Sequence, residues 1–312
     1  MTSAQVGELE ICYETEGNRK DAPLLLIAGL GMQLVGWGDD FLERLAGAGF
    51  FVIAYDNRDV GLSTHLSTCG LPDLLALFGP GQVKVAYRLK EMADDAAGLL
   101  DQLGIASAHV LGVSMGGMIA QELVISHPDK VRSLVSVMST TGAPDVGHPG
   151  PEAASELLRP APKDRDEAVE FALKALAVIG SPGFPTDAER ERRMAAQAYD
   201  RSHDPGGTAR QLAAILSSPD RTAGLGTVCV PALVIHGAAD PLVTPSGGRA
   251  TAAALPSAKL MMIEGMGHSI PVELWDEIVT AIADNARAGD AVAQRKGLES
   301  RLAEGPVKGF GR

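Results

Sequence analysis

The chain has 312 residues, of which 46% are apolar, and its 27 Lys and Arg against 39 Asp and Glu give a net charge of −12. This apolar content suffices for a large buried core and excludes a chain that is disordered throughout. The negative charge argues against nucleic acid or an anionic membrane as the main partner.

Short apolar segments recur along the first half of the chain and again near its end. Leu9, Ile11 and Tyr13 alternate with polar residues, which is typical of a half-exposed strand. Unbroken apolar runs predict strands that are covered on both faces. These runs are residues 24–28, 51–54, 109–111, 131–138, 231–236 and 260–263.

Helical patterns lie between these runs, and the clearest of them ends at Gly104. Its apolar residues are spaced three or four apart and share one face: Leu89, Met92, Ala96, Leu99 and Leu103. Because strands and helices alternate, we predict an α/β fold with a mostly parallel, doubly wound sheet. Ligands bind at the carboxyl ends of the strands in such sheets.

The alternation stops between residues 142 and 226, where Pro- and Gly-rich stretches flank helical patterns. We predict a helical cap over residues 142–226, a core formed by residues 1–141 and 227–285, and a polar C-terminal tail over residues 286–312 with little to anchor it. The apolar residues of the cap are interpreted as packing residues: Leu157, Leu158, Phe171, Leu176, Phe184, Met194 and Leu212.

The three cysteines, Cys12, Cys69 and Cys229, lie far apart and form no CxxC pair. Neither a disulfide framework nor a thiolate metal site is predicted, and a reducing compartment fits best. The first residues lack the pattern of a signal peptide, and no apolar stretch approaches the ~18 residues needed to cross a bilayer. We therefore predict a cytoplasmic protein without a membrane span.

Ser114 lies at the centre of a Gly-x-Ser-x-Gly pattern, residues 112–116, between the strand-like run 109–111 and a helical pattern. A serine on a sharp strand-to-helix turn has a strained backbone that projects its hydroxyl above the sheet. Glycines two residues away on either side remove side chains that would clash there. We predict that Ser114 is a nucleophile; the alternative is a tight turn with an unreactive serine.

A serine hydroxyl needs a base with a pKa near 7, and histidine is the usual choice. Of the seven histidines, His268 lies in a glycine-flanked loop directly after the last strand-like run. We predict that His268 is the base; the alternative is a loop histidine bonded to a neighbouring carbonyl. His65 and His236 lie nearer the expected active edge than the other four, but they do not fit the order of strand ends.

The base in turn needs a carboxylate that fixes its tautomer. Asp240 directly follows the strand-like run 231–235, whereas the preceding strand end offers no acid before Asp145. We predict Asp240 as this acid; the alternative is an aspartate that stabilises an Asp-Pro turn. The order Ser114, Asp240, His268 is the one expected on this type of sheet.

Acyl transfer also requires N–H donors for the oxyanion. Met115, directly after the nucleophile, is predicted to supply one of them. The second is predicted to come from the loop after the second predicted strand, with Leu30 as first choice and Gly31 as the alternative. The glycines of this loop do not fit a dinucleotide-binding loop, because that spacing requires glycine where Leu34 stands.

The chain resembles the α/β-hydrolase superfamily over most of residues 6–285. The matching segments are residues 28–31, 55–63, 112–117, 237–241 and 265–268. Within the superfamily it is similar to bacterial esterases of the aclacinomycin methylesterase type, which share the Asp-x-Arg-Asp-x-Gly-x-Ser stretch and a helical cap.

The resemblance implies a capped α/β-hydrolase fold without a metal or an organic cofactor. It also implies that Arg58 and Asp59 hold the loop near the site together, which is a structural role. Many members have histidine where this chain has Ala28.

These patterns predict an enzyme that cleaves a carboxylic ester of a small molecule through an acyl-enzyme. They determine neither the acyl and alcohol groups nor the oligomeric state. One alternative uses the same three residues on a carbon–carbon bond or in perhydrolysis. Serine at position 114 argues against dehalogenase and epoxide hydrolase chemistry, which require a carboxylate nucleophile. A further alternative is a non-catalytic receptor that binds ligands in the pocket of the fold.

Overall fold

A computed structural model describes residues 2–74, 76 and 84–303 of the chain, with side chains up to residue 295. Within these residues, eight strands form one sheet: β1 (Thr2–Val6), β2 (Leu9–Glu16), β3 (Ala22–Ile27), β4 (Phe50–Tyr55), β5 (Ala108–Val113), β6 (Val131–Val137), β7 (Ala232–Gly237) and β8 (Ala258–Ile263). Their order in the sheet is β1-β2-β4-β3-β5-β6-β7-β8.

The strand directions confirm the predicted fold class. The β1–β2 and β2–β4 pairs are antiparallel, and every other neighbouring pair is parallel. β1 is an addition that the apolar pattern did not predict. β8 is half exposed, with Leu260 at 42%, because it is an edge strand and not the fully covered strand that its apolar run suggested.

The helices of the described chain are α1 (Asp39–Gly47), α2 (Leu89–Gln102), α3 (Met115–Ser126), α4 (Pro151–Leu157), α5 (Arg165–Ile179), α6 (Ala188–Arg201), α7 (Pro205–Ser217), α8 (Thr222–Leu225), α9 (Pro245–Ala254) and α10 (Trp275–Ala303). The apolar face predicted for α2 is buried. α2 and α3 pack with one face of the sheet, and α1 and α10 pack with the other. None of these helices is long and apolar enough to cross a membrane.

Five of the helices, α4 to α8, lie between β6 and β7 in the chain. Residues 142–226, all of which are described, contain no strand. We call this segment the helical insertion. It connects β6 to β7, which are neighbouring parallel strands and the sixth and seventh of the eight strands in the sheet.

The predicted break at residue 286 does not coincide with a break in the structure, because α10 continues to Ala303. Ala286 is 4% exposed, and a Cβ added at Gly289 would lie 2.5 Å from the carbonyl oxygen of Arg132. Small residues thus allow the helix to approach the end of the sheet closely, although the segment is polar in composition. Residues 304–312 of the predicted tail lie outside the described residues.

Candidate active site

Ser114 occupies the turn between β5 and α3 with φ of 54° and ψ of −120°, a region that residues other than glycine rarely adopt. A Cβ added at Gly112 would lie 2.1 Å from the carbonyl oxygen of Gly116. A Cβ added at Gly116 would lie 2.0 Å from the carbonyl oxygen of Ile27. Only glycine fits at both positions. The turn therefore presents the serine at the carboxyl end of β5, as the sequence predicts.

Asp240 lies three residues after the end of β7, and its side chain is fully buried. Its Oδ1 accepts hydrogen bonds from the backbone N–H groups of Leu242 at 2.9 Å and Val243 at 3.0 Å. These bonds orient the carboxylate and leave its Oδ2 for His268, whose Nδ1 lies 2.8 Å away. Because a carboxylate only accepts, Nδ1 carries the hydrogen of the neutral ring.

His268 lies in the loop between β8 and α10, and its Nε2 lies 2.9 Å from the hydroxyl oxygen of Ser114. With Nδ1 protonated, Nε2 of the neutral ring is an acceptor for the serine hydroxyl. The structure thus brings Ser114, His268 and Asp240 into one hydrogen-bonded row. Such a row can remove the hydroxyl proton while the oxygen attacks a carbonyl carbon.

His236, one of the two competing histidines near the active edge, also lies close to Asp240, with 3.6 Å between its Nε2 and Oδ2. Its Nε2 lies 2.7 Å from the backbone carbonyl oxygen of Val243 and donates to it. Burial lowers the pKa of His236. It is therefore a neutral, fully enclosed ring that supports the Asp240 turn.

The backbone N–H groups of Leu30 and Met115, the two predicted donors, lie beside Ser114 and have no acceptor in the part of the chain that the structure describes. Gly31, the alternative to Leu30, donates its N–H to the side chain of Gln211 at 2.9 Å. A Cβ added at Gly29 would lie 3.4 Å from Cβ of Ser114, so this loop runs directly alongside the serine. Of the two candidates for the second donor, Leu30 therefore has the available N–H.

A cavity of about 1190 Å³ lies over Ser114 and His268, between the sheet and the helical insertion. Six of the seven apolar residues that were interpreted as packing residues of the insertion line it: Leu157, Leu158, Phe171, Leu176, Met194 and Leu212. Phe184 packs against the core instead. Helical spacing could not have identified the six, because residues that face a cavity and residues that face a core have the same apolar pattern.

Arg58 and Asp59 bind other parts of the protein through buried ion pairs. Arg58 donates to both oxygens of Asp95 at 2.6 and 2.7 Å. Asp59 accepts two bonds from Arg210 of α7, at 2.8 and 2.7 Å, and one from the hydroxyl of Tyr87 at 2.7 Å. Burial and the Asp59 carboxylate raise the pKa of Tyr87 above its usual range. Both pairs fit the structural role that the resemblance implies.

His65 lies beside the same cluster, where its ligand atom and those of Asp59 and Asp204 are all within 4.8 Å of one another. These residue types can hold a metal ion. Here, however, Arg210 donates to both carboxylates, and the two ring nitrogens of His65 lie 2.7 Å from Asp204 and 3.0 Å from the carbonyl oxygen of Gly61. We interpret the group as an ion-pair cluster that joins residues 59–65 to the helical insertion.

A sequence profile described as alpha/beta hydrolase fold matches residues 22–273. The chain is 31% identical to a rhodomycin D methylesterase of Streptomyces peucetius over 303 residues, which cover 90% of this chain and 96% of the relative. It is 29% identical to a 2-hydroxy-6-oxononadienedioate/2-hydroxy-6-oxononatrienedioate hydrolase of Burkholderia vietnamiensis. This match covers 84% of this chain and 85% of the relative.

Among solved structures, the chain is similar to the 2-hydroxy-6-oxo-6-phenylhexa-2,4-dienoate hydrolase of Rhodococcus sp. strain RHA1. The TM-score is 0.70 at 22% identity, with 92% of this chain and 98% of that chain covered. At this identity the likeness concerns the fold alone. Since the profile match spans most of the chain, the protein belongs to the α/β hydrolase fold family.

Proposed function

We propose that the protein is a carboxylic ester hydrolase in which Ser114 is the nucleophile, His268 the base and Asp240 the acid that orients the base. The observation that carries the proposal is the row of two hydrogen bonds, 2.9 Å from Ser114 to His268 and 2.8 Å from His268 to Asp240. The 31% identity to a methylesterase over 90% of the chain supports an ester as the substrate.

The reaction begins when the Ser114 oxygen forms a bond with the ester carbonyl carbon and the hydroxyl proton moves to Nε2 of His268. The carbonyl oxygen becomes an oxyanion, which the N–H groups of Leu30 and Met115 stabilise. The carbon–oxygen bond of the ester then breaks, and the alcohol leaves with the proton from His268. Asp240 stabilises the imidazolium while it exists.

Water completes the cycle by attacking the acyl-enzyme. His268 takes a proton from the water as the new carbon–oxygen bond forms, and a second tetrahedral oxyanion occupies the same pair of N–H groups. When this intermediate collapses, the carboxylic acid leaves and Ser114 recovers its proton from His268. The cycle consumes one ester and one water and needs no cofactor.

We further propose that residues 1–141 and 227–285 form the catalytic core and that residues 142–226 act as a cap that selects the substrate. The support is the mostly apolar cavity of about 1190 Å³ between them. This volume is more than a short acyl ester needs, so we expect bulky, apolar small-molecule esters to be the better substrates.

The second candidate function is hydrolysis of a carbon–carbon bond with the same three residues. The observation that favours it is the 29% identity to a 2-hydroxy-6-oxononadienedioate/2-hydroxy-6-oxononatrienedioate hydrolase. Perhydrolysis stays a further catalytic alternative, since the chain is also 27% identical over 280 residues to a relative named as a non-heme bromoperoxidase. Ligand binding without catalysis has no comparable support. Parallel assays with an ester, a vinylogous diketone and peroxide on one preparation separate the catalytic alternatives.

The test of the nucleophile is Ser114→Ala, assayed on a series of p-nitrophenyl esters and with a fluorophosphonate probe followed by mass spectrometry. We expect kcat to fall on the order of 10³-fold or more and covalent labelling to disappear, because removal of one member disables the whole catalytic unit. Turnover near the wild-type rate in this variant would disprove the assignment. Binding of small ligands by a wild-type protein that neither labels nor turns over would favour the receptor alternative.

A further inference from the structure

The loop that carries Leu30, residues 28–32, is rich in glycine but is held at both ends. At its start, Asn57 donates a side-chain hydrogen bond to the carbonyl oxygen of Ala28 at 3.1 Å. Near its end, Gly31 adopts φ of +67° and gives its N–H to Gln211. We call residues 28–32 the donor loop. The first contact comes from the core and the second from the helical insertion.

Gln211 of α7 is fully buried, and both polar atoms of its amide are used on backbone groups of the core. Its Oε1 accepts the Gly31 N–H at 2.9 Å, and its Nε2 donates to the carbonyl oxygen of Arg58 at 2.8 Å. A buried amide that lost either partner would be left unsatisfied. The side chain is therefore restricted to one orientation, in which it joins the donor loop to the loop after β4.

The helix that carries Gln211 is itself fixed at this point. The preceding residue, Arg210, forms the buried two-bond ion pair with Asp59. The side chain of Thr208, one turn earlier, lies against Gly31, where an added Cβ would be 3.2 Å from its hydroxyl oxygen. Thr208, Arg210 and Gln211 thus hold α7 against the donor loop and the neighbouring loop, and these contacts restrict the position of the Gln211 amide.

We propose that Gln211 is a positioning residue for the oxyanion donor Leu30. By taking the N–H of Gly31, it fixes the peptide plane that follows Leu30, while the Leu30 N–H stays available as a donor. Glycines flank Leu30 on both sides, so without this bond the loop has many accessible orientations. The inference rests on the proposed ester hydrolysis and gives the helical insertion a part in the chemical step.

The test compares Gln211→Leu with the matched control Gln121→Leu. Gln121 is also fully buried and also uses its amide twice, accepting from Arg221 at 3.0 Å and donating to Ser136 at 3.3 Å, but it has no bond to the donor loop. Both variants are assayed for kcat and KM on one p-nitrophenyl ester, for thermal unfolding, and for inhibition by a trifluoromethyl ketone, which forms an oxyanion when the serine adds to it.

We expect Gln211→Leu to lower kcat about 10- to 100-fold, to change KM less than about threefold, and to raise the Ki of the ketone by a factor similar to the loss of kcat. Gln121→Leu should lower the unfolding temperature but leave kcat and Ki near wild type. If Gln211→Leu changes kcat and Ki no more than Gln121→Leu does, Gln211 is only a packing residue and the inference fails.

Gln211→Glu provides the conservative comparison, and Gln211→Met replaces the leucine variant if that variant does not fold. A carboxylic acid buried here is favoured in its neutral form, so it can accept from Gly31 and donate to Arg58. We expect the glutamate variant to keep kcat within about threefold of wild type; a variant as slow as Gln211→Leu would overturn the inference. If the wild type itself hydrolyses no ester and does not label, the proposed function fails instead.

Discussion

The nucleophile turn, residues 112–117, and the base loop, residues 264–269, reach the same rim of the sheet but are held by different parts of the molecule. Among the described residues, the backbone hydrogen bonds of Ser114 in the turn come from the core. The backbone N–H of Ser114 donates to the carbonyl oxygen of Val137 at 2.9 Å, and its backbone carbonyl oxygen accepts from the hydroxyl of Ser139 at 2.9 Å. Both partners belong to β6 or directly follow it, so the turn is completed by the neighbouring strand.

The base loop depends on the helical insertion. His268 donates its N–H to the carbonyl oxygen of Ile179 at 2.7 Å, and Gly267 donates to the hydroxyl of Ser181 at 2.9 Å. Gly183 in turn donates to the carbonyl oxygen of Gly265 at 2.9 Å. A segment that covers the cavity thus also sets the position of the proposed base. We therefore expect changes in the insertion to affect turnover as well as substrate choice.

The largest effect is expected for Asp240→Asn. This change disrupts the hydrogen bonds among Ser114, His268 and residue 240 but leaves the nucleophile turn and the base loop in place. The Asp240 Oδ1 already accepts two backbone N–H groups, so the new amide nitrogen must face His268. Because the amide of the asparagine donates to Nδ1 of His268, Nδ1 becomes an acceptor and the ring hydrogen moves to Nε2. A protonated Nε2 can no longer accept from the Ser114 hydroxyl. We expect kcat to fall on the order of 10⁴-fold with little change in the unfolding temperature.

The matched control is Asp145→Asn, at the exposed rival acid that follows β6. Steady-state kinetics near neutral pH should show this control to be close to wild type. If Asp240→Asn retained more than a tenth of the wild-type kcat, the role of the carboxylate in fixing the tautomer would be wrong.

A smaller effect, on stability rather than chemistry, is expected for Gly116→Ala in the nucleophile turn. The added Cβ would lie 2.0 Å from the carbonyl oxygen of Ile27, so two backbones must separate. We expect the free energy of unfolding to fall by at least about 3 kcal/mol, measured by urea denaturation.

The control for the turn is Gly47→Ala at the end of α1, where an added Cβ meets no atom within 4 Å. This change should alter the free energy of unfolding by no more than about 1 kcal/mol. Equal losses in the two variants would show that the turn does not depend on close backbone contact.

The smallest effect is expected for Ser181→Ala, which removes one contact between the insertion and the base loop. The Ser181 hydroxyl accepts from Gly267 and lies 2.9 Å from the carbonyl oxygen of Ser269. One such hydrogen bond contributes about 1 kcal/mol, so we expect kcat to fall roughly 5- to 10-fold as His268 becomes less well positioned.

Ser218→Ala is the matched control for this contact, because Ser218 is another insertion serine that accepts from a core N–H, that of Leu89 at 3.0 Å. It lies outside the base loop. We expect it to reduce the unfolding temperature slightly and to leave kcat unchanged. A similar kcat for both serine variants would mean that the insertion merely covers the cavity.

Much of the candidate site could be predicted because its signals are local in the chain. The pattern around Ser114 encodes a steric requirement within six residues, and the apolar runs before Asp240 and His268 place both at carboxyl ends of strands. The donor loop was located in the same way. The choice between Leu30 and Gly31 was not determined by the sequence, because it depends on an acceptor 180 residues further along.

The contribution of the helical insertion was not visible in the sequence for a related reason. Gln211 and Ser181 are polar residues within or beside helical segments, and nothing in their spacing distinguishes a buried contact from a solvated one. Likewise, the sequence did not predict the continuation of α10 through Ala286 and Gly289. These small residues allow the helix to lie close to the sheet, and that contact exists only in the folded protein.

The alternation of strands and helices, the turn at Ser114 and the strand ends that carry Asp240 and His268 can all be predicted from the amino-acid chain. Each of these follows from apolar periodicity or from sterics over a few neighbouring residues. The folded protein was needed to show that the Leu30 N–H is available, what holds the base loop and which apolar residues line the cavity. Those features are contacts between distant segments, and their energies depend on the burial and geometry that folding creates.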